Sequence, residues 1–234
     1  MSAPARTVMI TGAAGNLARS VAAAFSADGA NLVLVDLHRE RLEQAFGAED
    51  ARRRFATTNL LDAAQTSAAV DAAIERFGRI DVLCNLAGGF RMGEAVHATA
   101  DRNWDFLLDI NARTLLHAVR AVVPQMLERS GGKIVNVGAF AANQGLAQMG
   151  AYCAAKSAVI RLTEAMAAEL REQNINVNCV LPSVIDTPEN RAAMPGADPS
   201  RWVAPDDLAA VIFFLASDAA RAIHGAALPV TGLG

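Results

Sequence analysis

The sequence is poor in residues that bind metals or form disulfides. Among 234 residues there are three cysteines, Cys84, Cys153 and Cys179, which lie far apart without the paired spacing of a zinc site. Their odd number does not suit a disulfide framework. The four histidines likewise have no mutual spacing that would make a metal pair. We therefore expect no metal centre, and three free thiols in a reducing compartment, the cytoplasm.

Charge is also scarce. Only 19% of the residues are charged and the formal net charge is −3, so the chain supplies no positive field for nucleic acid or anionic lipid. Residues 1–6 lack the basic and long apolar regions of a signal peptide. Asparagines, glutamines and glycines interrupt the uncharged stretch 134–155, which argues against a membrane span. We predict a soluble protein that acts on a small molecule, without a nucleic-acid or membrane partner.

Apolar residues are abundant, at 53%, which is enough to bury a large core and to exclude intrinsic disorder. Short β-rich runs alternate with alanine-rich segments whose apolar residues recur at helical spacing. The candidate strands are 7–10, 31–35, 54–56, 80–84, 133–137, 175–181 and 227–230, and the main helices between them are 17–27, 63–77, 104–128, 152–172 and 206–216. This alternation predicts an α/β protein, a single-domain Rossmann fold over residues 1–234. Its doubly wound parallel sheet would have seven strands and helices on both faces. The segment 182–205 is predicted to be one long loop near the site.

Ligands of such sheets bind at the carboxyl ends of the strands. The first strand is followed by a turn of small residues, 11–18, that leads straight into a helix and lets backbone amides reach a pyrophosphate. Asp36 closes the second strand, where its carboxylate can accept hydrogen bonds from both ribose hydroxyls and would repel a 2′-phosphate. These features predict dinucleotide binding, with NADH preferred over NADPH. Residues expected beside the adenosine are Asn59, after the third strand, and Asn85, Ala87 and Gly88, after the fourth.

A tyrosine and a lysine stand at the start of the helix that follows the fifth strand. Tyr152 and Lys156 are four residues apart, which places the phenol and the ammonium on one helix face. The chain has one tyrosine and only two lysines, so chance is a poor explanation for the pair. A nearby ammonium stabilises a phenolate, and we therefore expect Lys156 to lower the pKa of Tyr152 and make it an acid/base catalyst.

These motifs, together with Asn111 and the segment 182–188, resemble the short-chain dehydrogenase/reductase family over nearly the whole chain. The resemblance implies that Tyr152 exchanges a proton with the substrate, that Lys156 also binds the nicotinamide ribose, and that Asn111 supports a proton-relay water. It also implies that Ile185 and Thr187 hold the nicotinamide carboxamide. The predicted cofactor-binding residues are Gly12, Gly15, Asn16, Leu17, Asp36, Asn59, Leu60, Asn85, Ala87, Gly88, Tyr152, Lys156, Pro182, Ile185 and Thr187.

The sequence departs from the family pattern at two places. Asn16 and Ala18 replace the last two glycines of the turn, but asparagine tolerates left-handed backbone and alanine is small. The usual catalytic serine, thirteen positions before the tyrosine, is Ala139. That serine donates a hydrogen bond to the reacting oxygen, and losing one such donor typically costs about 10²–10³ in rate. An enzyme that reduces simple ketones should therefore have a lower rate without this serine.

Two stretches, 84–90 and 186–202, look like the dihydropteridine reductase branch of the family, which also lacks the serine and uses NADH. We therefore expect hydride transfer to a quinonoid dihydropterin or a similar conjugated acceptor. The alternatives are a ketoreductase or alcohol dehydrogenase, 3-oxoacyl reductase-like, and a dinucleotide-binding sensor without turnover. Apolar residues in excess of one core stripe on 104–128 and 152–172 predict a homo-oligomer. The resemblance implies a tetramer, and a dimer is the alternative.

Overall fold

Seven parallel strands form one sheet in the computed structural model, which describes residues 5–233. The strands are β1 (Thr7–Thr11), β2 (Asn31–Asp36), β3 (Arg53–Thr57), β4 (Val82–Asn85), β5 (Gly132–Val137), β6 (Ile175–Pro182) and β7 (Ala227–Val230). Their spatial order is β3-β2-β1-β4-β5-β6-β7, and all neighbours pair in parallel. The strand order reverses between β1 and β4, so the carboxyl ends of these two strands flank the crevice where such folds bind dinucleotides.

Helices cover both faces of the sheet. They are α1 (Asn16–Ala27), α2 (Arg39–Phe46), α3 (Ala63–Phe77), α4 (Asp101–Leu108), α5 (Thr114–Glu128), α6 (Gly150–Leu170), α7 (Pro188–Ala193) and α8 (Pro205–Leu215). Side chains alternate between the two faces along each strand. In β1, Met9 joins the core under α3, α5 and α6, whereas Val8 and Ile10 join the core under α1 and α8. Burial on both faces explains why the strands read as nearly continuous apolar runs.

The predicted fold class is confirmed, and each of the seven strands lies within two residues of its predicted bounds. The helix predicted over 104–128 is different, because it begins at Asp101 and a π-helical turn, Asp109–Arg113, separates α4 from α5. Asn111 lies in that turn, a type of irregularity that is frequent at functional sites.

Two further elements were not expected. The sequence pattern missed α2, a polar helix in which only Leu42 is buried. The segment predicted as one long loop contains the short helix α7, which begins at Pro188 after Thr187 caps it by accepting a hydrogen bond from the Asn190 amide. In the described part of the chain, every helix is too short or too polar to cross a bilayer.

Candidate active site

The turn after β1 is built around Gly12, whose φ is +63°. A Cβ at this position would lie 2.8 Å from the Cα of Ala87, so only glycine fits between the two loops. The side-chain oxygen of Thr11 accepts hydrogen bonds from the amides of Leu86 (3.0 Å) and Ala87 (3.1 Å), which fastens the turn to the loop after β4. The turn continues through Gly15 into Asn16 and Leu17 at the start of α1, a helix with no side-chain cap and no acidic residue in its first turn. Its free amides suit an anionic pyrophosphate.

Asp36 lies beside this turn with a carboxylate that the backbone holds in place. It is 8% exposed, and its oxygens accept hydrogen bonds from the amides of Ala14 (3.1 Å) and His38 (3.4 Å). The guanidinium of Arg39 is already paired with Glu43 and Glu49, at 2.8 and 3.1 Å. The negative charge of Asp36 therefore faces the crevice without an arginine bound to it.

Two of the predicted adenosine residues have other partners in the structure. The side-chain oxygen of Asn59 accepts a hydrogen bond from the amide of Leu61 at 3.0 Å, and so stabilises its own turn. Asn85 is buried, and its amide group donates to the side-chain oxygen of Asn136 on β5 at 2.9 Å. Leu60 is buried, and its carbonyl lies 2.8 Å from Nδ1 of His117.

Lys156 and Asn111 come together at the carboxyl edge of the sheet, around Gly88. A Cβ at Gly88 would lie 2.9 Å from Oδ1 of Asn111 and 3.2 Å from Nζ of Lys156. The missing side chain thus lets these two polar groups lie close to the loop after β4, and we call this place the Gly88 cradle. Tyr152 lies one helical turn before Lys156 on α6. Lys156 is buried and donates to the carbonyl of Val137 at 2.8 Å.

Asn111 is held rigidly by the backbone on both sides. Its Nδ2 donates to the carbonyls of Leu107 (2.9 Å) and Gly89 (3.0 Å), and its Oδ1 accepts from the amide of Gly89 (3.1 Å). The side-chain oxygen keeps a free lone pair beside the Gly88 cradle.

The expectation that Lys156 lowers the pKa of Tyr152 is wrong. Burial raises the pKa of the Tyr152 phenol to about 12, because a phenolate is poorly solvated there. Burial also lowers the pKa of Lys156 to about 8. The ring of Phe90 packs edge-on against Tyr152 with centroids 4.8 Å apart and contributes to the apolar surroundings. The phenol therefore stays protonated at neutral pH.

Ala139 lies two residues after the end of β5 and is buried, so its missing hydroxyl leaves no polar group at that position. A cavity of about 190 Å³ opens beside Tyr152. Its wall carries polar side chains that sequence reasoning missed, Arg91, Glu94, Asn103 and Gln148. They come from two distant segments that only the fold brings together, and no sequence spacing signals them.

The loop after β6 closes the other side of the site. Ile185 bridges to Val203, and the side chain of Asn190 donates to the carbonyl of Ile185 at 2.8 Å. Nδ2 of Asn16 in the glycine turn donates to Oε2 of Glu189 on α7 at 2.8 Å, which ties the loop to the dinucleotide crevice. Pro182 ends β6 at the same edge. Residues 5–233 contain no group of three or more metal-binding side chains.

A Rossmann sheet, a small-residue turn and a Tyr–Lys pair at one edge define a class of dinucleotide-dependent oxidoreductases. The family model of the short chain dehydrogenases matches residues 6–197. The chain therefore belongs to the short-chain dehydrogenase/reductase family.

Relatives with known activities cover almost the whole chain. D-threitol dehydrogenase of Mycolicibacterium smegmatis is 37% identical over 97% of this chain and 92% of its own length. The 3-oxoacyl-[acyl-carrier-protein] reductase of Thermotoga maritima is 30% identical over 97% and 96%.

Solved structures give the same picture. NAD⁺-bound xylitol dehydrogenase has a TM-score of 0.89 at 27% identity, covering 98% of both chains. A gluconate 5-dehydrogenase from Burkholderia cenocepacia J2315, solved with NADP and tartrate, has a TM-score of 0.88 at 29% identity, covering 98% of this chain and 95% of its own. Relatives thus bind either cofactor.

Proposed function

We propose that residues 1–234 form one NAD(P)-binding domain that interconverts a small secondary alcohol and a ketone, with NADH preferred over NADPH. The observation that carries the proposal is that Lys156 and Asn111 meet at the Gly88 cradle, while Tyr152, one helical turn before Lys156, lines a polar cavity. The relatives act on alcohols and ketones according to their names, which favours this reaction over reduction of a quinonoid dihydropterin. The dihydropterin interpretation rests on Ala139 and on the two short stretches 84–90 and 186–202.

The fit of the dinucleotide is supported by three features: the glycine turn, the free amides of α1, and the fixed carboxylate of Asp36. When bound, the nicotinamide supplies or accepts the hydride. The side chains predicted to surround it are Tyr152, Lys156, Ile185 and Thr187. The hydroxyl of Thr187 accepts the amide of Asn190, which fixes this side chain at the start of α7.

Tyr152 is the acid/base in this scheme. Its raised pKa keeps the phenol protonated, which suits the donation of a proton to a developing alkoxide during ketone reduction. Asn111 holds a hydrogen-bond acceptor next to Nζ of Lys156, where a relay water would connect the site to solvent. Because residue 139 is an alanine, the substrate must be oriented by its remaining polar groups in the cavity.

A panel of substrates tests the proposal. The purified protein is mixed with NAD⁺ and short secondary alcohols or polyols, with NADH and the matching ketones, and with NADH and a quinonoid dihydropterin, while the nicotinamide absorbance is followed. We expect turnover of alcohols and ketones. Turnover of the dihydropterin alone would contradict the proposal, and tight NADH binding without turnover of any compound would favour the sensor.

We also propose a homo-oligomer, a dimer or a tetramer, in the cytoplasm. Trp104 of α4 and Leu127 of α5 are 44% and 39% exposed, on the segment 104–128, which is one of the two segments predicted to form an interface. The large apolar side chains of α6 are at least partly buried within the chain. The three cysteines are free and buried, which suits a reducing compartment. Light scattering of the purified protein measures its mass, and a monomer would contradict the first part of this proposal.

A further inference from the structure

We propose that Arg91 determines specificity by binding a carboxylate of the substrate, so that the preferred substrates are hydroxy acids and keto acids rather than neutral polyols. This inference rests on the proposed function, because it concerns the cavity beside Tyr152. Arg91 is the one cationic side chain among the residues that line the described cavity.

The guanidinium of Arg91 is held in place without a carboxylate partner. Its Cζ lies 3.8 Å from the centre of the Phe106 ring, and its Nη1 donates to Oδ1 of Asn103 at 2.6 Å. Within residues 5–233, no acidic side chain lies within the 4.0 Å of an ion pair with Arg91. Stacking and one hydrogen bond fix the plane of the guanidinium, and they leave its other N–H groups available. A planar fork of this kind matches a carboxylate in two-pronged geometry.

Glu94 lines the same cavity, but its carboxylate is already occupied. Oε2 accepts the amide of Ala100 at 3.1 Å, and Oε1 accepts Nδ2 of Asn103 at 2.7 Å. Glu94 thus orients Asn103, and Asn103 in turn accepts the hydrogen bond of Arg91. Glu94 thus positions Arg91 through the side-chain amide of Asn103 and does not form an ion pair with it.

Another part of the cavity lining is also compatible with an anion. Gly150 and Ala151 belong to this lining and stand at the start of α6, a helix of 21 residues with no acidic side chain in its first turn and no side-chain cap. Its dipole and first amides favour negative charge nearby. With a cavity of about 190 Å³, a substrate of a few carbon atoms can place a carboxylate near Arg91 while its hydroxyl reaches Tyr152.

Matched substrate pairs test the inference. Short secondary alcohols are used whose hydroxyl lies two, three or four carbons from a carboxylate, each paired with the diol in which a CH₂OH group replaces that carboxylate. We expect the wild-type protein to oxidise at least one acid about 10- to 100-fold more efficiently than its diol, as a charged hydrogen bond to a preorganised partner would give.

Arg91→Gln should abolish most of this preference, because KM for the acid rises much more than KM for its diol. Arg91→Lys keeps the charge and should restore part of the preference, since it lacks only the planar fork. Arg102→Gln removes an exposed arginine of α4 outside the cavity and should behave as wild type. Equal loss for acids and diols in Arg91→Gln, or a wild-type preference for the diols, would overturn the inference.

A binding measurement separates this inference from the proposed function. If the protein binds NADH but turns over none of the compounds, the proposed function fails, and Arg91 is then tested by quenching of the NADH fluorescence with the same acids and diols. Acid-specific quenching that weakens in Arg91→Gln supports carboxylate binding. Quenching that is identical in wild type and Arg91→Gln refutes it.

Discussion

The dinucleotide crevice and the substrate cavity lie at the same edge of the sheet but are built differently. The crevice is made by the backbone, because Gly12 packs on Ala87 and backbone amides fix Asp36. The cavity is made by side chains, in which Arg91, Asn103 and Glu94 hold one another in place. A site made of backbone tolerates changes such as Asn16 and Ala18 in the glycine turn. Where side chains form the site, a substitution changes which ligand fits. The features that distinguish this protein from its relatives are therefore expected in the cavity.

The largest expected effect falls where the two regions meet. Tyr152→Phe keeps the ring and its packing on Phe90, so we expect NADH affinity to be nearly unchanged and turnover to fall by about 10²–10⁴, as lost acid/base catalysis gives. Lys156→Ala should weaken NADH binding as well as turnover, because Nζ borders the Gly88 cradle. Steady-state kinetics and fluorescence titration of NADH measure both quantities. Unchanged turnover in Tyr152→Phe would remove the tyrosine from the mechanism.

The second effect concerns cofactor choice in the crevice. The wild-type protein should bind NADH about 10- to 100-fold more tightly than NADPH, because the carboxylate of Asp36 would repel a 2′-phosphate. Asp36→Asn keeps the size of the side chain, and we expect it to reduce the ratio of the two affinities, mainly by improving NADPH binding. Titration with NADH and with NADPH measures both affinities. Equal affinities in the wild-type protein would contradict the role of Asp36.

The same contrast between the backbone-built crevice and the side-chain-built cavity explains how much of the fold and of the site could be predicted from the sequence. The sheet, the turn and the Tyr152/Lys156 pair depend on local periodicity and spacing, which a sequence displays directly. The direction of the Tyr152 pKa shift could not be predicted, since burial depends on neighbours such as Phe90 that are remote in sequence. The side-chain contact of Asn85 was equally hidden, because strand pairing brings its partner Asn136 close. Asn59 is different, since it contacts the amide of Leu61 within its own turn.

The third effect tests the substrate side. Ala139→Ser restores a hydroxyl at the end of β5, where it should donate a hydrogen bond to the reacting oxygen. We expect simple ketone reduction to rise about 10-fold, less than the ~10²–10³ lost when a natural donor is removed, because the surroundings are not preorganised for it. Ala141→Ser, two residues further on, is the matched control. If Ala139→Ser folds but its rate of ketone reduction does not rise, a hydroxyl at position 139 has no catalytic role in this protein.

The smallest effect concerns the contact that joins the two regions. Oε2 of Glu189 accepts Nδ2 of Asn16 at 2.8 Å, so a carboxylate lies at the start of α1, where the pyrophosphate is expected to bind. The backbone amide of Glu189 lowers the pKa of this carboxyl most, and Thr187 and Asn16 lower it further, so the carboxylate is charged at neutral pH. Glu189→Gln keeps a hydrogen-bonding group but removes the repulsion between the carboxylate and the pyrophosphate. NADH should therefore bind about two- to fivefold more tightly, and the change is modest because the Asn16–Glu189 pair is exposed to solvent.

Glu169→Gln, on the exposed face of α6, controls for net charge. The gain in Glu189→Gln should shrink as salt is added, since salt screens exposed charges. Weaker NADH binding instead would mean that the carboxylate holds the loop closed over the cofactor, and that closure outweighs repulsion.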